Sequence, residues 1–211
     1  MSSNKNKKNF ALEVCVDSVE SALAAADGGA DSSSEIDVAL EDLHELRRCG
    51  AHGFVFGALE RNRCRIDKES CLKIVKAAHP LPVTFHRAFD LTSAQDAKQH
   101  LELLVNLGFK RILTSGFHSC AVEGTQDLAK LCELAGEMLI VMPGGGLSAG
   151  NLLDLARASG ATEFHGSFSK PKQLQASNNS LMQLGSYALT DATSVRAAVA
   201  TLDGLSRQKD N

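Results

Sequence analysis

The chain has 211 residues, 22 Lys and Arg against 25 Asp and Glu, a formal net charge of -3, and 44% hydrophobic residues. At about 100–200 residues per domain this is one domain, and the apolar fraction excludes wholesale disorder. No basic excess supports a nucleic-acid partner, and no apolar run approaches the ~20 residues that span a bilayer.

The opening MSSNKNKKN is polar and basic and lacks a following apolar core. It reads as a disordered arm over residues 1–9, not a secretory signal. A first strand is expected over Phe10–Val16, then a helix over Ser18–Ala26 whose start Asp17 or Ser18 can cap. Gly28-Gly29-Ala30-Asp31 and three serines lead directly into another helix, Glu35–Cys49, with Ile36, Leu40, Leu43 and Leu46 on its apolar face. From there strands and helices alternate. Strands are expected over Gly53–Leu59, Leu81–Ala88, Arg111–Ser115, Met138–Met142 and Glu163–His165. Helices are expected over Lys68–Ala78, Ser93–Leu107, Asp127–Ala135 and Ala149–Ala158. Such alternation implies parallel pairing, and a recurring helix–Gly–strand phrase suggests βα units closing as an α/β (β/α) barrel. Six strands are readable where a full barrel needs eight. The two successive helices before Cys49 are either a helix–loop–helix excursion in an ordinary open sheet or the place where two βα units are absent. An incomplete barrel leaves open strand edges, so a homo-oligomer is expected.

Period-two alternation separates Phe10, Leu12, Val14 and Val16 from Ala11, Glu13 and Cys15. The apolar set suits the helix layer, so Glu13 and Cys15 point into the barrel. An inward Glu is costly unless paired, which leaves a structural ion pair or a site role. The strand end Val83-Thr84-Phe85-His86-Arg87-Ala88-Phe89-Asp90 is the most polar in the chain. His86 beside Arg87 suits proton transfer near a bound anion, with Glu13 as a candidate partner. A His satisfied by a carboxylate and a surface Arg is the plainer alternative. Met142-Pro143-Gly144-Gly145-Gly146 ends a strand in three glycines, and Ser148 or Asn151 can cap the next helix. Glycines allow backbone N–H groups close to an anion, so Gly144, Gly145 and Gly146, with Ser167 after the last strand, form a candidate anion-binding set, against a plain tight turn. Thr114 and Ser115 add two hydroxyls at another strand end, and Glu123 reads as a surface or capping residue. The six Cys contain no CxxC pair and read as reduced thiols of a cytoplasmic protein. No zinc-type spacing is present.

Taken together, Leu12-Glu13-Val14-Cys15, Gly53–Leu59, the block Pro80–Asp90, Leu113–Gly116, Met142–Gly146 and Glu163-Phe164-His165 resemble the CutC copper homeostasis family. The resemblance runs from Phe10 to about Leu202, making residues 10–202 a CutC-like barrel domain and 203–211 a tail. It implies a TIM-type barrel, a cytoplasmic location and a role in copper homeostasis, with Glu13, His86, Arg87 and His165 matching as candidate catalytic residues. It also implies a departure: family strands reading Arg-Ile-Glu-Leu-Cys and ending in Ile-Arg-Pro-Arg have no counterpart here, so strands two and three are missing. Of the family's proposed copper ligands, Cys15 remains and the Cys of the lost strand does not. Three functions follow as expectations. The first is a CutC-type copper homeostasis protein binding Cu(I) weakly through Cys15. The second is a barrel enzyme acting on a small anionic or phosphorylated metabolite. The third is a truncated isoform with impaired function.

Overall fold

The computed structural model describes residues 11–14, 32–60, 65–173 and 186–208. Six parallel strands form its frame: β1 (Ala11–Val14), β2 (Phe54–Phe56), β3 (Val83–Phe85), β4 (Arg111–Thr114), β5 (Ile140–Pro143) and β6 (Glu163–Gly166). Strands β2, β3, β4 and β5 pair in chain order, and β6 pairs with β1. A parallel bridge between Gly144 and His165 joins the two groups. Among the described residues, β1 pairs with β6 alone and β2 with β3 alone, so the frame begins at β2 and ends at β1. Among the described residues this is the six-stranded parallel βα arrangement that the alternation predicts. The helix expected over Ser18–Ala26 lies outside the described residues.

The helices fill the outer layer: α1 (Ser32–Arg48), α2 (Lys68–Ala78), α3 (Ala97–Leu107), α4 (Thr125–Ala135), α5 (Ala149–Ser159) and α6 (Ala192–Gln208). Helix α2 starts where Asp67 accepts the backbone N–H groups of Glu69 and Ser70, covering two donors a first turn leaves orphaned. Helix α3 stops at Gly108, whose φ of 96° lies in the left-handed region that glycine enters without a Cβ penalty. On α1, Ile36 and Leu43 are buried but Leu46 is 53% exposed. At about 100° per residue, Leu46 falls some 80° off the stripe that Ile36, Leu40 and Leu43 share. Two elements at the end of the chain were not foreseen. An antiparallel hairpin joins β7 (Ser169–Gln173) to β8 (Ser186–Thr190), and α6 continues past Leu202, with Leu205 buried.

In-register residues Phe85, Ile112 and Val141 are buried in the core shared with the helices. The next layer on the opposite face holds Leu113 and Met142, also buried and in register with each other. Below it, Arg111 of β4 reaches across β5 to Glu163 of β6, its Nε and Nη2 both donating to the carboxylate. This inner ion pair was not foreseen. Its side chains are 28% and 18% exposed. Glu163→Ala would strand the guanidinium in a partly dry layer. A loss of about 2 kcal/mol in urea unfolding is expected, since removing one partner leaves the other uncompensated. A midpoint unchanged from wild type would show that water satisfies Arg111 equally well.

Candidate functional site

The polar C-terminal ends of β3, β4 and β5 meet in one network. After β3 the chain tightens into a 3-10 turn, Arg87–Leu91, capped by His86: its Nδ1 accepts the Ala88 N–H at 3.1 Å. That bond fixes the neutral tautomer with the proton on Nε2. Burial holds the His86 pKa below the ordinary value, favouring the uncharged ring. The nitrogen left for other work is therefore a donor. Space for the ring comes from Gly57, where a Cβ would lie 2.7 Å from His86 Nδ1.

The turn brings Arg87 and Asp90 together, Nε donating to Asp90 Oδ2 at 2.9 Å. Asp90 is nearly buried, its side chain 8% exposed. It also accepts the backbone N–H of Ser115 at 3.0 Å, that of Phe117 at 3.2 Å, and the Thr114 hydroxyl. Arg87 Nη2 donates to Ser115 Oγ at 2.7 Å and to the His118 carbonyl at 3.2 Å. The single Ser115 hydroxyl proton goes either to Asp90 or to the His118 carbonyl. Phe117 sits at φ 66°, a rare conformation for a bulky residue, held by its N–H to Asp90 and its ring against Phe89.

The β5 loop closes the third side. Gly145 has φ 99°, where a side chain is strained, and a Cβ there would press on Arg87 Nη1 at 3.1 Å. The Ala121 N–H donates to the Gly145 carbonyl at 3.0 Å, tying the loop after β4 to the glycines. Cys120 packs on the same glycines, its Cβ 3.3 Å from where one on Gly146 would be. Asn151 accepts the Ser148 N–H at 2.8 Å and donates to the Gly146 carbonyl at 2.9 Å, fixing the start of α5.

Arg87 and Gly145 are thus brought together, and Gly144 adjoins His165, whose Cβ lies 3.5 Å from where a glycine Cβ would be. His86 stands on the other flank, against Gly57 of the β2 end. Glu13 occupies the register position beside His165. Ser167 is exposed and its hydroxyl meets Ser169 Oγ at 3.1 Å, at the root of the hairpin. Cys15 lies outside the described residues. Asp90, Ser115, Cys120 and Gly57 were not in the expected site set. The Arg87-x-x-Asp90 spacing was the available signal for Asp90, because i,i+3 residues meet in a helical turn.

Among the described residues, no group of three or more His, Cys, Asp and Glu is placed to hold a metal ion. Cys71 is buried between α2 and the sheet, and desolvation raises its thiol pKa to about 11, far from the thiolate that soft metals need.

Fold and rim together define a parallel α/β protein of TIM-like type with a polar, glycine-lined rim at the C-terminal strand ends. The CutC family model matches residues 32–170, and the chain belongs to the CutC family. The human copper homeostasis protein cutC homolog is 37% identical over 240 aligned positions, covering 89% of this chain and 87% of the human protein. The aligned 89% of this chain is about 188 residues, so about 52 of the 240 positions have no counterpart here (240 against 188). The CutC protein of Streptococcus agalactiae superposes with a TM-score of 0.62 at 30% identity, covering 65% of this chain and 66% of that one. An aldolase at 17% identity and a TM-score of 0.51, covering 63% of this chain and 62% of its own, shares the fold alone.

Proposed function

We propose that this chain is a copper homeostasis protein of the CutC type that handles Cu(I) as cargo, weakly and at no more than one ion per chain, through Cys15. Family membership carries this reading, with the copper homeostasis name of the human relative. Cys15 directly follows the last residue of β1. Thiolate is the ligand that soft Cu(I) prefers, and one thiol with at most an imidazole beside it makes a weak site. A competition titration against a Cu(I) chelator is expected to give substoichiometric or single weak binding that Cys15→Ser abolishes. Tight binding that survives Cys15→Ser overturns the assignment.

A specific observation favours a second reading, an enzyme acting on a small anionic or phosphorylated metabolite. Arg87 is locked in place with Nη1 turned to a glycine loop, the arrangement of a donor held ready for an oxyanion. Here Gly144, Gly145, Gly146 and Ser167 bind the anion, and Glu13, His86 and His165 serve the chemistry. Absence of any Cu(I) binding, with stabilisation by a metabolite in a thermal-shift screen, selects this reading. Either activity suits a cytoplasmic protein, and no helix among the described residues is long and apolar enough to cross a membrane. The half-exposed β2 edge, with Val55 51% exposed, supports a homo-oligomer.

A further inference from the structure

We propose that Asp90 is a positioning residue of an oxyanion site, fixing Arg87 so that it offers a ligand one nitrogen, Nη1, end-on beside Gly145. This rests on the anion reading above. A guanidinium has five N–H donors. The Nε donor goes to Asp90, and the two on Nη2 go to Ser115 Oγ and the His118 carbonyl. Among the described residues, the two on Nη1 meet no acceptor. Both side-by-side edges of the fork are therefore spent in part, because each includes Nε or Nη2. The bidentate clamp by which arginine usually takes a carboxylate or phosphate is closed off. What remains is a single nitrogen whose two hydrogens point about 120° apart, so that an oxyanion oxygen takes one of them.

Gly145 keeps that nitrogen accessible, since any side chain there would stand against Nη1 and Cζ. Asp90 supplies the rigidity. Besides Arg87 Nε, it takes the Ser115 and Phe117 N–H groups and the Thr114 hydroxyl, and so cannot swing with the arginine. Its charge also balances that of Arg87, so the ligand is recognised by a directed donor more than by net field. Preorganised donors are the more effective because they need not reorient when the ligand arrives. The ligand class is an oxyanion presenting one oxygen end-on, which a phosphate or a carboxylate can supply.

Calorimetric titration of the full chain at 10 °C tests this, with inorganic phosphate and acetate as separate probes and circular dichroism confirming the fold of each variant. Wild type is expected to bind at least one probe, and which one it binds identifies the source of the oxyanion. Asp90→Asn is expected to weaken that binding about tenfold, the scale of a lost charge-assisted bond. In an Arg87→Ala background, Asp90→Asn is expected to change affinity no further, because its effect runs through Arg87. A purely structural role would not produce that non-additivity. If Asp90→Asn does not fold, Ser115→Ala, which removes one Nη2 acceptor, is expected to weaken binding about threefold. Wild-type affinity in a folded Asp90→Asn, or in Ser115→Ala where Asp90→Asn is unfolded, overturns the positioning role and leaves the anion reading intact. Binding of neither probe by wild type overturns the anion reading, and this inference with it.

Discussion

Gly124→Ala is expected to lower stability by about 3 kcal/mol or more, a fall of roughly 6–12 °C in the thermal midpoint for a chain of this size. Gly124 precedes α4 with φ -84°, which any residue adopts, so the backbone conformation is not the obstacle. The obstacle is contact. A Cβ on Gly124 would stand 1.9 Å from the Ser115 carbonyl oxygen and 2.9 Å from its carbon. Both are main-chain atoms of the residue that holds Arg87 and Asp90, so no side-chain rotation relieves the clash. Either α4 lifts from the β4 end, or Ser115 moves and the rim network opens. The matched control is Gly150→Ala in α5, where the nearest atom is Ser148 Oγ at 3.8 Å. There, replacing glycine in a helix is expected to stabilise by up to about 1 kcal/mol. Thermal unfolding of the two variants side by side checks both expectations. A Gly124→Ala midpoint within about 2 °C of wild type would mean that the loop yields at little cost.

Much of this frame was legible because strand–helix alternation and capping are local signals. Helix α2 was read residue for residue: Asp67 precedes it, and its apolar residues Cys71, Ile74 and Ala78 recur at three and four. Strand centres were read correctly, but the second and third strands were set too wide, because pairing stops where β2 and β3 run into the rim turns, while β5 and β6 each run one residue further than expected, to Pro143 and Gly166. The β7–β8 hairpin was missed since Ser169-Lys170-Pro171-Lys172-Gln173 is polar, contains a proline and shows no apolar alternation. Helix α6 was missed although its buried face, with Ala198, Leu202 and Leu205, keeps the spacing of four and three that marks a helix. The rim shows the same division. His86, Arg87 and Asp90 stand out as polar residues at a strand end. That Ser115 and the His118 carbonyl would take the arginine's Nη2 depends on β4 lying beside β3, which no local pattern states. Gly124 gave no warning, because glycine before a helix is ordinary by propensity.

Stability is expected to fall as pH drops from about 7 to 5, driven by two histidines that the fold keeps uncharged. Burial lowers the pKa of His100, and the nearby Asp96 charge offsets it only in part. Among the described residues its Nδ1 has no hydrogen-bond partner, and its ring lies edge-on against Phe89 in the turn between Arg87 and Asp90. Burial lowers the pKa of His86 as well, and protonating its Nδ1 would cost the bond from the Ala88 N–H. For both groups the folded pKa lies below the unfolded value of about 6.5. Above that value both states carry neutral rings and the histidines add no pH dependence. Below it the unfolded chain takes up protons that the folded chain refuses, so stability declines until the folded pKa values are passed. Two such groups set a limiting slope of about 2.7 kcal/mol per pH unit. The shifted carboxylates act in a separate window. Asp127, lowered by His118 and Lys130, and Asp191, lowered to about 2 mainly by Lys170, lose their contributions only at more acidic pH. Urea unfolding at half-unit steps from pH 7.5 to 5 checks the expectation, with His100→Gln as the comparison. That variant removes one titrating ring at position 100, so its curve is expected to be flatter than wild type over this range. A wild-type curve that is level or rising toward pH 5 would show that His86 and His100 protonate freely within the folded rim.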